Sequence, residues 1–250
     1  MGRSRHARGA AAAATRVIVY GRNAVREALS GRRRVLRAWA TSRVAGEPWL
    51  RGASVAVVER GELEALCGSP DHQGVCADVG PYPYVDTAGL LAPEDALVVC
   101  LDQVQDPRNL GAICRVAECA GAAGVVIAER RTAEVTPVVC RTSAGAVEHL
   151  PVARVRNVAD YLAIAKDAGA WVYGAALEHA VPYERPDYRG RVVLVLGGEG
   201  SGLRPRVAAA CDELIKLPVS GRVQSLNVSA AAAALVYGIL QRRGSVDSAP

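Results

Sequence analysis

From residue 16 onward, short apolar runs alternate with stretches of helical periodicity. Residues 17–20 read as a strand, and Gly21-Arg22-Asn23 opens a helix that carries Ala24, Val25, Ala28 and Leu29. Residues 35–40 and 55–58 read as further strands, then comes a helix through Leu63 and Leu66, and a last strand over 74–79 follows the Asp71-His72-Gln73-Gly74 turn. The pattern predicts a small α/β domain over residues 16–80. Pro81-Tyr82-Pro83-Tyr84 breaks it, because two prolines in three residues favour extended chain, and residues 81–95 read as a linker. Beyond it the alternation lengthens. Apolar runs at 96–101, 124–128, 152–155, 170–175, 192–196 and 213–217 are separated by helical patterns, and a final helix spans about 225–242. Near-continuous Val/Ile/Leu strands interleaved with helices predict a mostly parallel sheet covered on both faces, forming a domain over 96–243. Residues 1–15 offer no face to bury and read as a disordered basic tail, and 244–250 as a short tail.

Composition changes this picture little. Half of the 250 residues are hydrophobic, with a mean hydropathy of +0.12. The longest apolar run, residues 230–237, is too short to span a bilayer, and no signal peptide is readable, so a cytoplasmic protein is expected. Seven cysteines without CxxC spacing, and four scattered histidines, predict small buried apolar residues and no metal site. Charge is more informative when divided. Residues 1–60 hold 13 Arg and three Glu, a net of +10, so the remaining residues carry −5 of the total +5. That asymmetry suits a nucleic-acid-binding end, although 28 Arg against two Lys also fits a chain that writes Arg at any solvated cationic position.

Three segments stand out where strands end, the place where open parallel sheets collect ligands. In the first, Asp106-Pro107 makes a turn and Asn109 is expected to cap a helix, with Arg115 nearly two turns later and expected on the same side. In the second, Gly197-Gly198-Glu199-Gly200-Ser201-Gly202 puts four glycines in six residues, which means close backbone approach. No Gly-Lys-Ser/Thr follows, and a carboxylate in the loop would repel pyrophosphate, so a ligand with hydroxyls or positive charge is favoured. In the third, Ile215-Lys216-Leu217-Pro218 leads through a six-residue loop to Ser225-Leu226-Asn227-Val228-Ser229 and an alanine-rich helix. Taken alone, the first and third have bland readings, a capped helix with a surface Arg and an N-capped core helix.

Together, in this order and spacing, the three segments resemble the SpoU/TrmH branch of the SPOUT methyltransferases over residues 96–243. Ser143-Ala144-Gly145-Ala146 and His149-Leu150-Pro151-Val152 also look like this family. Ile18-Val19-Tyr20-Gly21, Asn23-Ala24-Val25 and His72-Gln73-Gly74 look like the N-terminal domain of its 23S ribosomal RNA guanosine 2′-O-methyltransferase members, which resembles a small RNA-binding ribosomal protein.

The resemblance implies an α/β knot, a deep trefoil in which the C-terminal segment threads a loop, and homodimers with sites near the interface. It implies S-adenosyl-L-methionine as cofactor, held by Gly197, Gly198, Ile215, Leu217 and Leu226, with a further contact near Gly174 or Ala175. Asn109, Arg115, Glu199, Ser225 and Asn227 match the family's functional positions. Of these, Asn109, Glu199 and Asn227 would orient ribose and cofactor, while Arg115, always protonated, is physically easier to see as a phosphate clamp than as a base. No metal is required. A guanosine of 23S rRNA is the implied target. Transfer RNA, a ribosomal position tied to antibiotic resistance, and a non-catalytic RNA-binding role stand as alternatives. A nicotinamide dehydrogenase would need an early glycine fingerprint that Tyr20-Gly21-Arg22-Asn23 does not supply.

Overall fold

A computed structural model of the chain describes residues 16–223 and 225–247. The tail read over 1–15, Gln224 and the last three residues lie outside them.

The N-terminal unit is a four-stranded sheet. It is built from β1 (Val17–Tyr20), α1 (Arg22–Ser30), β2 (Val35–Ala40), α2 (Ser42–Ala45), β3 (Val55–Val57), α3 (Arg60–Cys67) and β4 (Val75–Val79). The strand order is β1-β4-β2-β3, with β4 antiparallel to both neighbours and β2 parallel to β3. The turn before β4 is built from its own side chains. His72 Nδ1 accepts the amide of Gly74 at 3.0 Å, and Gln73, at φ +53°, turns its carboxamide to accept the amide of Arg22 at the start of α1.

The C-terminal unit comprises β5 (Leu97–Asp102), α4 (Pro107–Cys119), β6 (Gly124–Ala128), α5 (Pro137–Thr142), β7 (Val152–Val155), α6 (Val158–Asp167), β8 (Trp171–Ala175), β9 (Val181–Pro182), β10 (Val192–Gly197), α7 (Pro205–Ala210), β11 (Glu213–Lys216) and α8 (Val228–Asp247). Its seven strands run in the order β7-β6-β5-β10-β8-β11-β9, and every pairing is parallel. β5 and β6 are buried along their whole length because helices cover both faces, which is why they read as unbroken apolar runs. Asp106, not Asn109 as expected, caps α4 by accepting the amide of Arg108 at 2.8 Å, because Pro107 takes the first helical position and so places Asn109 inside the first turn. The last helix begins at Val228 rather than near 225. Asn227 Oδ1 accepts the amide of Ser229 at 2.8 Å, so Asn227 is the cap and the residues before it are free to line a cavity. The helix also runs on to Asp247, past the boundary expected at 243.

Residues 81–95, read as a linker, lie packed against the second unit. The Tyr82 hydroxyl donates to the carbonyls of Val147 (2.9 Å) and Leu150 (3.0 Å), Val85 bridges in parallel to Ala153, and Leu90 and Leu91 are buried. One hydrophobic cluster joins Val19, Val25 and Val79 to Leu101, Ile113 and Val139. Across this junction Arg33 donates to both carboxylate oxygens of Glu148, to Oε2 at 2.9 Å, and its guanidinium lies 5.6 Å from the Tyr82 ring centroid. Burial works against the Arg33 charge, but the Glu148 hydrogen bonds outweigh it and hold the proton more tightly than usual.

Of the cysteines expected to be buried, Cys76, Cys100, Cys114 and Cys140 are so, whereas Cys119 is exposed at the end of α4, and all seven are free thiols. Among the described residues, no helix is long and apolar enough to cross a membrane, and no group of three or more His, Cys, Asp or Glu is placed to hold a metal.

Candidate active site

Three loops at the carboxyl ends of β8, β10 and β11 meet around a cavity of about 550 Å³, within the size range of cofactor pockets. Its apolar walls include Leu196, Ile215, Leu217, Leu226 and Leu235, and its rim holds Glu199, Ser225 and Asn227. The loop after β10 curls on itself: Gly202 donates to the Gly198 carbonyl at 3.0 Å. A Cβ at Gly197 would lie 2.1 Å from the carbonyl carbon of Gly202, so no side chain is tolerated there. A Cβ at Gly198 would lie 2.7 Å from the Gln103 carbonyl oxygen, so this loop also presses on the one after β5.

The polar centre is a triangle drawn from three segments far apart in sequence. Glu199 Oε1 accepts the carboxamide of Asn109 at 2.6 Å and that of Asn227 at 2.7 Å, and Asn227 also donates to Asn109 Oδ1 at 3.1 Å. The other end of Asn227 is fixed by the start of α8, where its Oδ1 accepts both the amide and the hydroxyl of Ser229. Asn109 is buried, while Glu199 and Asn227 face the open side.

Gly197, Gly198, Ile215, Leu217, Leu226 and Ala175 line the cavity, and Ser225 stands at its rim. Gly174 lies behind the wall, where a Cβ would come within 2.8 Å of Cys211, Leu203 and Leu214. Arg115 is apart from this group. It lines neither this cavity nor its neighbour, makes no ion pair or hydrogen bond among the described residues, and is exposed. The expectation that it shares a side with Asn109 does not hold, because six residues at about 100° each leave the two about 120° apart around α4.

Two residues that sequence reasoning did not single out hold the glycine loop. Asp102, fully buried at the end of β5, accepts Arg204 through its amide (2.9 Å), Nε (2.8 Å) and Nη2 (2.7 Å). The available signal was an acid ending an otherwise apolar strand; its partner, 102 residues on, has no local mark.

The donor set fits S-adenosyl-L-methionine. The apolar walls suit an adenine face, loop backbone groups can meet its polar edges, and Glu199, the one charged lining side chain among the described residues, suits a cationic or hydroxyl-bearing ligand.

Comparison with known proteins gives the same answer. The model of the SpoU rRNA Methylase family matches residues 96–237, and a model described as RNA 2′-O ribose methyltransferase substrate binding matches residues 18–85. The chain is 37% identical over 241 residues to a tRNA/rRNA methyltransferase of Synechocystis and, equally, to a TrmH family tRNA/rRNA methyltransferase of Bacillus subtilis. The aligned region takes in 91% of this chain in both cases, but 63% of the Synechocystis protein and 96% of the Bacillus one. The crystal structure of the SpoU methyltransferase AviRb from Streptomyces viridochromogenes in complex with AdoMet superimposes with a TM-score of 0.79 at 26% identity, covering 92% of this chain and 91% of that one.

Proposed function

This chain belongs to the SpoU methyltransferase family, and from that premise we propose that it methylates the ribose 2′-hydroxyl of a guanosine in 23S ribosomal RNA. The family's RNA 2′-O-methyltransferase activity depends on S-adenosyl-L-methionine, which supplies an electrophilic methyl group on a sulfonium when bound. The observation that carries the site assignment is the triangle of Asn109, Glu199 and Asn227. Its three members come from the three segments that the family motifs mark, Glu199 and Asn227 from the lining of the cavity and Asn109 from the first turn of α4 beside it. Walls at Gly197, Gly198, Ile215, Leu217 and Leu226 hold the cofactor. Glu199, with one oxygen already receiving two carboxamides, offers an acceptor of fixed orientation to a ribose hydroxyl, and positioning of this kind supplies much of the rate in group transfer. Ser225 donates at the rim. Arg115, exposed and without a partner among the described residues, stands apart from the triangle and grips an RNA phosphate.

The division into a substrate-recognising unit over 16–80, a packed connector over 81–95 and a methyl-transferring unit over 96–243 belongs to the same reading. So do a knot through the loops around the cavity, a homodimer, and work in the cytoplasm. The N-terminal unit favours ribosomal RNA as target, since its match is to a substrate-binding model and 13 of the chain's 28 arginines, against three carboxylates, lie in residues 1–60.

The test is methyl transfer from radiolabelled cofactor to unmodified 23S rRNA, with transfer RNA in parallel and Arg115→Ala as control. Label at one alkali-resistant guanosine, lost in the variant, is the expected result. Label on transfer RNA alone would overturn the target assignment.

A further inference from the structure

A second cavity, of about 340 Å³, adjoins the first and shares Glu199 and Ser201 with it. Its remaining wall is the loop after β5, with Gln103, Val104, Gln105 and Asp106, and the first turn of α4, with Asn109. The lining therefore offers carboxamides, two carboxylates and a hydroxyl, but no Arg, Lys or His. A phosphate placed there would face two carboxylates with no cation to offset them. An uncharged group with several N–H donors meets the same lining favourably.

The loop is held in shape on three sides. Asp102, before it, is clamped by Arg204; Asp106, after it, caps α4. Between them Gln103 adopts φ +64°, a left-handed conformation disfavoured for a residue with a side chain, and its carbonyl lies against Gly198. Such strain persists only where the surroundings impose it, and it gathers at ligand sites.

Resting on the methyltransferase reading above, we propose that this second cavity receives the base of the target nucleotide edge-on, and that Gln103 and Gln105 select which base is admitted. A carboxylate prefers two adjacent donors. Guanine presents N1–H and the N2 amino group side by side, whereas uracil presents a single N–H, and adenine and cytosine one amino group. A glutamine carboxamide can donate to guanine O6 while a carboxylate takes the two donors. Phosphates stay outside.

The experiment is an NMR titration of the full chain saturated with S-adenosylhomocysteine, following the side-chain amides of Gln103 and Gln105. The probes are guanosine, adenosine, cytidine, uridine and inorganic phosphate. Guanosine should shift both signals most and phosphate neither, and Gln105→Ala should weaken guanosine about fivefold, the effect of one neutral hydrogen bond. An equal response to all four nucleosides, a response to phosphate, or guanosine binding untouched by Gln105→Ala would overturn the proposal. So would silence toward every nucleoside while S-adenosylhomocysteine perturbs Gly197 and Gly198. Failure of S-adenosylhomocysteine to perturb those glycines would instead strike the methyltransferase site itself, and the base subsite with it.

Discussion

One oxygen of Glu199 receives two carboxamides, and that fixes the hydrogen-bond sense of the whole triangle: both asparagines donate to Glu199, and Asn109 accepts from Asn227. Asn227 has a second duty as the cap of α8, and a pair of substitutions separates the two. Asn227→Asp keeps the cap, since aspartate caps as well as asparagine, but turns an acceptor toward Glu199. It should lower the single-turnover methyl-transfer rate by about 10²-fold while leaving the melting temperature nearly unchanged. Asn227→Ala should show the same rate loss together with about 1 kcal/mol of lost stability, read from denaturant unfolding. Equal rates for Asn227→Asp and the parent protein would remove Asn227 from the catalytic arrangement. Asn109, Glu199 and Asn227 were all legible as candidates from their motifs. Their hydrogen bonds were not, because they join residues up to 118 positions apart.

At the scale of elements, the decisive contact lies between α1 with the chain after it and the short turn at Ala146–Glu148. Arg33 and Glu148 are almost wholly inaccessible to solvent, with side-chain exposures of 2% and 0%. Removing one partner leaves an uncompensated buried charge, so Glu148→Gln should cost about 3–5 kcal/mol in urea unfolding. The double change Arg33→Met with Glu148→Leu should recover most of that loss; if it does not, the pair does more than neutralise itself. On the outer edge of this contact, Glu27 meets His149 Nε2 at 3.0 Å. Partial burial pushes the Glu27 carboxyl up, but hydrogen bonds from His149 and Arg26 outweigh it and hold it below the usual range. Its contribution is thus present at neutral pH and is lost as pH falls through the lowered value. Glu27→Gln should accordingly melt below the parent at about pH 7, and the gap should close as the pH falls through that lowered value. A gap that stayed constant with pH would mean that the charge of Glu27 does not matter there. This junction was illegible in sequence, since neither Arg33 nor Glu148 belongs to a motif and burial of an ion pair leaves no local pattern.

For the whole molecule, the asymmetry of charge predicts how RNA binding responds to salt. Residues 1–15 carry three of the 13 arginines in the basic end. Each phosphate neutralised on single-stranded nucleic acid contributes about 0.7 to the slope of log affinity against log salt. Deleting residues 1–15 should therefore flatten that slope by roughly 2 in filter-binding or anisotropy measurements at several salt concentrations. An unchanged slope would assign RNA contact to the folded units alone.

The chain's own periodicity settled most of the elements. Apolar runs buried on two faces announced six of the seven parallel strands to within a residue, missing only the two-residue β9, and glycine and proline marked the loops between them, because both signals are local consequences of backbone sterics and burial. The motifs marked loops that line the cavity, since glycine crowding at 197–202 and the polar lead-in to α8 are written in consecutive residues. Only the tertiary structure decided the rest. It put Arg115 on another side of α4 from Asn109, tied Asp102 to Arg204 behind the glycine loop, and packed the supposed linker into the second unit. It also opened a second cavity beside the first. Each of these depends on contacts across tens to more than a hundred residues, and the strand order that brings β10 between β5 and β8 fixes those contacts, not any local preference of the chain.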